Sequence, residues 1–252
     1  MSTALSVNVN KVALLRNARH GEVPSVVGFA KAALDAGAHG ITVHPRPDQR
    51  HIRITDVDAL AELLASPEYA DREFNIEGNP LDLSRGDHLM PILRRVRPTQ
   101  ATLVPDDSNQ NTSDHGFALT EPAVVAALRP IVGELRDQGC RVSLFVDPDP
   151  DTAAAAKDVG ADRVELYTES YATAFAGPQQ DPTLQRFADT ASRALDTGLG
   201  LNAGHDLDQA NLGLFLDRVK GVQEVSIGHA LVAESLLDGI TGTIQAYLDL
   251  VK

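Results

Sequence analysis

GITVHPRPDQRH, residues 40–51, reads as a short buried strand that breaks abruptly into a loop crowded with chemistry. Ile41, Thr42 and Val43 are β-formers in a short apolar run, the pattern of a strand covered on both faces. His44 ends the strand. Arg46, Arg50 and His51 follow within seven residues, interleaved with Pro45 and Pro47, which stiffen the loop and stop it continuing as regular structure. A histidine that titrates near neutrality beside fixed cations suits proton transfer on an anionic substrate.

Working outward from this stretch, a strand followed by a helical pattern recurs eight times. The candidate strands are residues 5–10, 40–45, 73–78, 100–105, 141–146, 163–168, 200–204 and 224–229. Val26, Val27, Ala30, Ala33 and Leu34 fall at helical spacing, as do Leu60, Leu63 and Leu64, and Leu89, Ile92, Leu93 and Val96. Segments 124–135, 152–159, 184–195, 211–219 and 235–250 complete the helical set, and Gly37, Pro98, Gly139, Gly160 and Gly198 supply stop signals. Strict alternation implies parallel strands with crossover helices. Eight such units in 252 residues predict a closed (β/α)8 TIM barrel formed as a single domain over residues 1–252. A doubly wound open sheet is the less consistent alternative, because it normally uses fewer strands and a glycine-rich first turn, and no GxGxxG motif occurs.

Composition narrows the function classes. The net charge of −13 argues against a nucleic-acid surface, although residues 1–60 carry seven Lys/Arg against five Asp/Glu while the remainder carries fifteen against thirty. An acidic protein that binds anions needs such a local basic island. The single cysteine, Cys140, excludes an internal disulfide and reads as structural. No charged segment followed by a long apolar run opens the chain, and no stretch approaches a membrane span, so a soluble cytoplasmic protein with no membrane partner is expected.

A barrel places function just beyond the C-terminal ends of its strands. Strand one delivers Asn8 and Asn10, then Lys11, Arg16 and Arg19; strand two delivers His44 and Arg46; strand three delivers Glu77. Strand five ends at Asp147 and strand six carries Glu165 and Thr168, while His205 and His229 end strands seven and eight. Three of the eight histidines thus occupy equivalent strand ends, which points to one shared pocket. Gly204-His205 and Gly228-His229 place a glycine where backbone approaches a ligand closely, on the two strands whose loops often bind phosphate in barrels, so a phosphorylated substrate is expected. Arg19 and the Arg46 loop, taken as lying across the ring, are expected to hold a second anion. Glu77, at the end of a mostly apolar strand, is expected to have a raised pKa and to form an acid/base set with His44 and His205. Residues 106–120 form a polar connection longer than usual, a candidate lid from which Thr112 reaches the substrate.

In chain order, SVNVNKVALLRNAR, GITVHPRPDQRHI, EFNIEGNP, RVSLFVDPD, LNAGHDL and SIGHALV resemble the pyridoxine 5′-phosphate synthase family over nearly the whole chain. The resemblance implies a barrel with extra helices, assembled as a homo-octamer built from dimers, without metal or other cofactor. It also implies a reaction in which 1-deoxy-D-xylulose 5-phosphate and 3-amino-2-oxopropyl phosphate condense to pyridoxine 5′-phosphate, phosphate and water. Carried over by position, the family's proton acceptors fall on His44 and Glu77 and its proton donor on His205. Its aminoketone phosphate contacts fall on Asn8, Arg19, Asp206, Gly228 and His229, and its sugar-phosphate contacts on Asn10, Lys11, Arg46, His51 and Thr112. Two positions depart from the common family pattern: Asn10-Lys11 stands where many members carry Asp-His, and Asp206 replaces a common glycine.

Other readings compete. A metal-dependent hydrolase needs closely spaced ligands on a strand, where strand one offers Asn-Val-Asn. A Schiff-base aldolase would use Lys11, one of five lysines. A barrel that binds sugar phosphates without turnover is the non-enzyme alternative, disfavoured by the presence of His44, Glu77 and His205.

Overall fold

The computed structural model describes residues 2–83, 88–107, 110 and 112–252. Strand β1 (Ala4–Asn8) leads to α1 (Asn10–Asn17) and α2 (Val26–Asp35), then β2 (Gly40–Val43), α3 (Ile54–Ala65), β3 (Glu73–Gly78), α4 (Leu89–Val96) and β4 (Gln100–Leu103). The second half runs α5 (Pro122–Asp137), β5 (Arg141–Val146), α6 (Pro150–Val159), β6 (Arg163–Tyr167), α7 (Glu169–Ala174), α8 (Gln180–Asp196), β7 (Gly200–His205), α9 (Leu212–Arg218), β8 (Val222–Ile227), α10 (His229–Asp238) and α11 (Ile240–Leu250). Each strand pairs in parallel with the next, and β1 closes on β8 through Leu5↔Val225 and Val7↔Ile227, giving a (β/α)8 TIM barrel with extra helices. No helix among the described residues is long and apolar enough to cross a membrane.

Local sequence explains the punctuation. Ser25 and Asp149 cap α2 and α6 by accepting the N–H groups of Gly28 and Thr152, and Pro150 opens α6, where a missing N–H costs nothing. Gly37, Gly139, Gly160 and Gly198 all take positive φ just past helix ends, as the stop signals predict. Two boundaries differ from expectation. Strand β1 ends at Asn8 rather than at residue 10, because the Asn8 Oδ1 accepts the Asn10 N–H and turns the chain into α1. The segment 235–250 is not one helix: Gly239, at φ 74°, separates α10, which already starts at His229, from α11.

β2 is buried on both faces, as expected, and the strands alternate in polarity: one face is apolar. Leu5, Val7, Ile41, Val43, Phe74, Ile76, Val142, Leu144, Val164, Leu166, Val225 and Ile227 belong to the main apolar core. The alternate residues are buried but polar: Ser6, Thr42, Asn75, Thr102, Ser143, Glu165, Asn202 and Ser226. They face the barrel interior, since Thr102 donates to Glu165 (3.4 Å) and Gln100 on β4 donates to Glu224 on β8 (3.2 Å), a contact that only the lumen allows. Ser6, Thr42, Asn75 and Thr102 continue the chain from strand to strand, and Arg141 and Arg163 hold Glu224 at the N-terminal end. Most of these buried polar groups satisfy one another; the Ser143 hydroxyl has no hydrogen-bond partner among the described residues.

Candidate active site

The inward phase of this alternation builds the site. Two residues beyond each lumen residue come Asn8, His44, Glu77, Val104, Phe145, Tyr167, Gly204 and Gly228, one per strand. The first three are polar; Val104, Phe145 and Tyr167 pack together as a small apolar cluster separate from the main core. The glycines leave space that neighbouring side chains fill. A Cβ on Gly204 would overlap the Glu165 carboxylate, and one on Gly228 would sit 3.0 Å from the Asn8 Cβ. These glycines therefore also make room for Glu165 and Asn8, and Gly228 lines the cavity.

The result is a cavity of about 290 Å³ whose lining includes Asn8, Asn10, Lys11, His44, Arg46, His51, Glu77, Thr112, His205, Asp206, Gly228 and His229. Of the residues expected at the site, only Arg19 is absent from that lining; it is exposed on the turn after α1. Nor does the ring hold β1 and β2 across from β7 and β8: β1 closes directly on β8, and one cavity is lined from all four strands or their ends.

On the β1–β3 wall His44, Arg46 and His51 are buried, and Asn8, Asn10 and Glu77 are partly buried. The Asn10 Oδ1 accepts the His44 N–H (2.9 Å), and the Asn8 Nδ2 donates to Glu77 Oε2 (3.3 Å). His44 Nδ1 lies 3.9 Å from the same Glu77 oxygen. Burial holds the His44 imidazole neutral, lowering its pKa to about 3, and Arg46 and Arg50 act in the same direction. Burial also lifts the Glu77 carboxyl well above its usual range, reinforced by Glu165, Asp106 and Glu224. His51 is likewise neutral, lowered to about 3 chiefly by burial; its Nδ1 accepts the Ile52 N–H, so its proton sits on Nε2. The loop carrying His51 is tied down by α1: Arg16 pairs with Asp56 and donates to the His51 carbonyl, to which Asn17 also donates. Arg46 reaches the cavity, yet its guanidinium is engaged by Asp106 (2.6 Å) and by the carbonyls of Asp107 and Gln110.

On the β7 wall the site is more open. His205 adopts φ 100°, a left-handed conformation uncommon for a side chain of this size and characteristic of functional positions. Its Nδ1 meets Asp206 Oδ2 at 2.6 Å and its Nε2 meets Thr112 Oγ1 at 2.8 Å, while Tyr167 packs edge-on at 4.9 Å between ring centroids. Burial alone would raise the Asp206 carboxyl, but its hydrogen bond with His205 prevails and holds it below the ordinary value. An ionised Asp206 can only accept, so the His205 Nδ1 carries a proton. Asp206, where the resemblance implies a phosphate contact, bonds the neighbouring imidazole.

The connection 106–120 joins the two walls. Positions 108, 109 and 111 lie outside the described residues. From Gly116 onward the chain is packed rather than loose: the Phe117 N–H donates to Phe145, and Phe117 and Leu119 are buried. Among the described residues no group of three or more His, Cys, Asp or Glu is arranged to hold a metal. Cys140 is buried with its thiol pushed up to about 12, an inert structural side chain. Two functional-grade acids escaped the assignment of roles from sequence, Asp106 and Glu165, the latter raised to about 8 by burial and by Glu224. The period-two phase of VELY marks Glu165 as inward; nothing local marks Asp106.

Barrel closure with imidazoles and carboxylates gathered at the C-terminal strand ends defines a TIM-barrel protein with an acid/base pocket. The family model described as Pyridoxal phosphate biosynthesis protein PdxJ matches residues 5–252. A pyridoxine 5′-phosphate synthase of Albidiferax ferrireducens is 55% identical over 249 residues, covering 98% of this chain and 97% of the relative. Another from Xanthomonas axonopodis pv. citri is 54% identical, covering 100% and 98%. The chain belongs to the PdxJ family of pyridoxal phosphate biosynthesis proteins, and it is an enzyme. Among solved structures, an aminoacrylate-bound tryptophan synthase from M. tuberculosis aligns with TM-score 0.63 at 14% identity, covering 100% of this chain and 94% of that one, a likeness of fold.

Proposed function

We propose that the enzyme condenses 1-deoxy-D-xylulose 5-phosphate with 3-amino-2-oxopropyl phosphate to give pyridoxine 5′-phosphate, phosphate and water. The observation that carries this reading is the convergence of His44, Glu77 and His205, from β2, β3 and β7, on one cavity. Condensing an amine with a ketone, losing water, eliminating phosphate and closing the ring are all proton-transfer steps. Neutral His44 is a base at rest. Glu77, with its raised pKa, is an acid before it ionises and a strong base afterwards. His205, its Nδ1–H held by Asp206 and its Nε2 turned toward Thr112 at the cavity, is assigned as the acid. Lys11, the Nε2–H of His51 and the N–H groups opening α10 at Gly228 and His229 supply anion contacts.

Incubating the purified protein with both substrates and a chelator, alongside His205→Ala, tests the reading. Pyridoxine 5′-phosphate and inorganic phosphate should appear together with the wild type alone; binding of both substrates without product would favour a non-catalytic barrel. Lys11 lines the same cavity, which keeps a Schiff-base route as the second reading; borohydride trapping of a ketose phosphate on Lys11 would establish it. The same proposal includes a cytoplasmic homo-octamer built from dimers, for which light scattering of the purified protein should give eight times the chain mass.

A further inference from the structure

Strand β4 contributes no side chain to the site residues expected from sequence, yet Asp106, three positions beyond it, touches the buried wall of the pocket. It is 5% exposed. Its Oδ2 lies 2.6 Å from Arg46 Nη2 and 3.4 Å from His44 Nε2. Its Oδ1 is buried with no hydrogen-bond partner among the described residues, and its backbone is fixed by Asn79, which donates to the Asp106 carbonyl at 2.7 Å. A carboxylate serving only as counter-ion to Arg46 gains from a two-pronged pairing, with both oxygens satisfied. This one instead turns a single oxygen to Arg46 and the imidazole together. His44 is thereby set between two acids, with Nδ1 toward Glu77 in the main cavity and Nε2 toward Asp106, which lines a separate cavity of about 10 Å³ behind it, room for about one water molecule.

We propose that Asp106 is a positioning residue for His44: it accepts the Nε2–H, fixes that tautomer and leaves Nδ1 bare toward Glu77 and the substrate. This rests on the reading of His44 as a base. Nδ1 then forms the new N–H bond as the substrate's bond to hydrogen breaks, the electron pair staying on the substrate. The resulting imidazolium forms beside a carboxylate, which stabilises it. Burial raises the Asp106 carboxyl to about 6 against the pull of Arg46, so at neutral pH it is predominantly ionised beside the neutral imidazole.

Nitrogen NMR on protein labelled with 15N-histidine reads the tautomer without any turnover, with His44→Gln assigning the resonances. In the wild type, His44 should show a protonated Nε2 and an unprotonated Nδ1. Asp106→Ala should mix or invert the tautomers and lower kcat by roughly 10²-fold. Asp106→Asn, which keeps an acceptor but no charge, should retain the tautomer and part of the activity. A wild-type His44 protonated on Nδ1 sinks the proposal even if the alanine variant fails to fold. So does an unchanged tautomer in Asp106→Ala with only KM raised, the signature of a residue that merely holds Arg46. Failure of the condensation itself would show as absent product in the wild type and would leave the tautomer result standing.

Discussion

His44 and His205 face one cavity from different walls, and they are held in different ways. His44 is buried, neutral and flanked by carboxyls at 3.4 and 3.9 Å, in a wall laced from behind by Arg16, Asp56 and Asn17. His205 is partly exposed, strained in its backbone, and bonded at 2.6 and 2.8 Å to Asp206 and to Thr112 of the long connection. Burial on the first wall suppresses the charged imidazole, whereas on the second an ionised carboxylate holds the ring through its Nδ1–H. The proposed base and acid are thus the same side-chain type in different surroundings.

The comparison can be broken most forcefully at Arg16. Arg16→Met leaves Asp56 buried without its partner and unties the His51 loop, so a stability loss of about 3–5 kcal/mol is expected in urea unfolding. A smaller effect is expected from Gly116→Ala, whose Cβ would overlap the backbone of Val146 and Asp147. About 1–3 kcal/mol should be lost, with faster hydrogen exchange over residues 112–119 while the His44 wall keeps its protection. Asp206→Asn removes the charge behind His205; kcat should fall about tenfold, near 1.4 kcal/mol, and the change in stability should be small. Unchanged turnover in that variant would mean that the 2.6 Å contact does not support His205 as acid.

The smallest effect concerns pH. Glu165 and Glu224 are raised to about 8 and 7, so between their ordinary value of 4.5 and those pH values the folded chain holds more protons than the unfolded one, and stability falls as pH rises. His44 and His51 work in the opposite sense only below their ordinary value of 6.5, where the unfolded imidazoles take up protons that the folded ones refuse. From pH 6.5 to 8 the carboxyls act alone, and unfolding free energy should drop by on the order of 1 kcal/mol per pH unit. Glu165→Gln should flatten that slope; a slope as steep as the wild type's would show that Glu165 does not titrate there.

Much of this molecule was legible from residue order. The eight strand-helix units followed from apolar periodicity and glycine stops, and strand ends alone brought His44, Glu77, His205 and His229 to attention. Reading 41–43 as one short apolar run passed over the alternation in ITV, FNI and VEL, in which every second residue belongs to the lumen. Closure mattered as well, because the distance from Arg19 to a pocket on β7 and β8 depends on β1 pairing with β8 and on where the α1 turn projects.

By itself the sequence determined the barrel, since propensity and period are local properties, and it determined which strand ends carry titratable groups. Only the tertiary structure decided the protonation states and partnerships of those groups. That Gly204 makes room for Glu165, and that Asp106 touches His44, depends on contacts between elements distant in sequence. Burial and charge, the two quantities that set each pKa here, come into being only when the ring has closed.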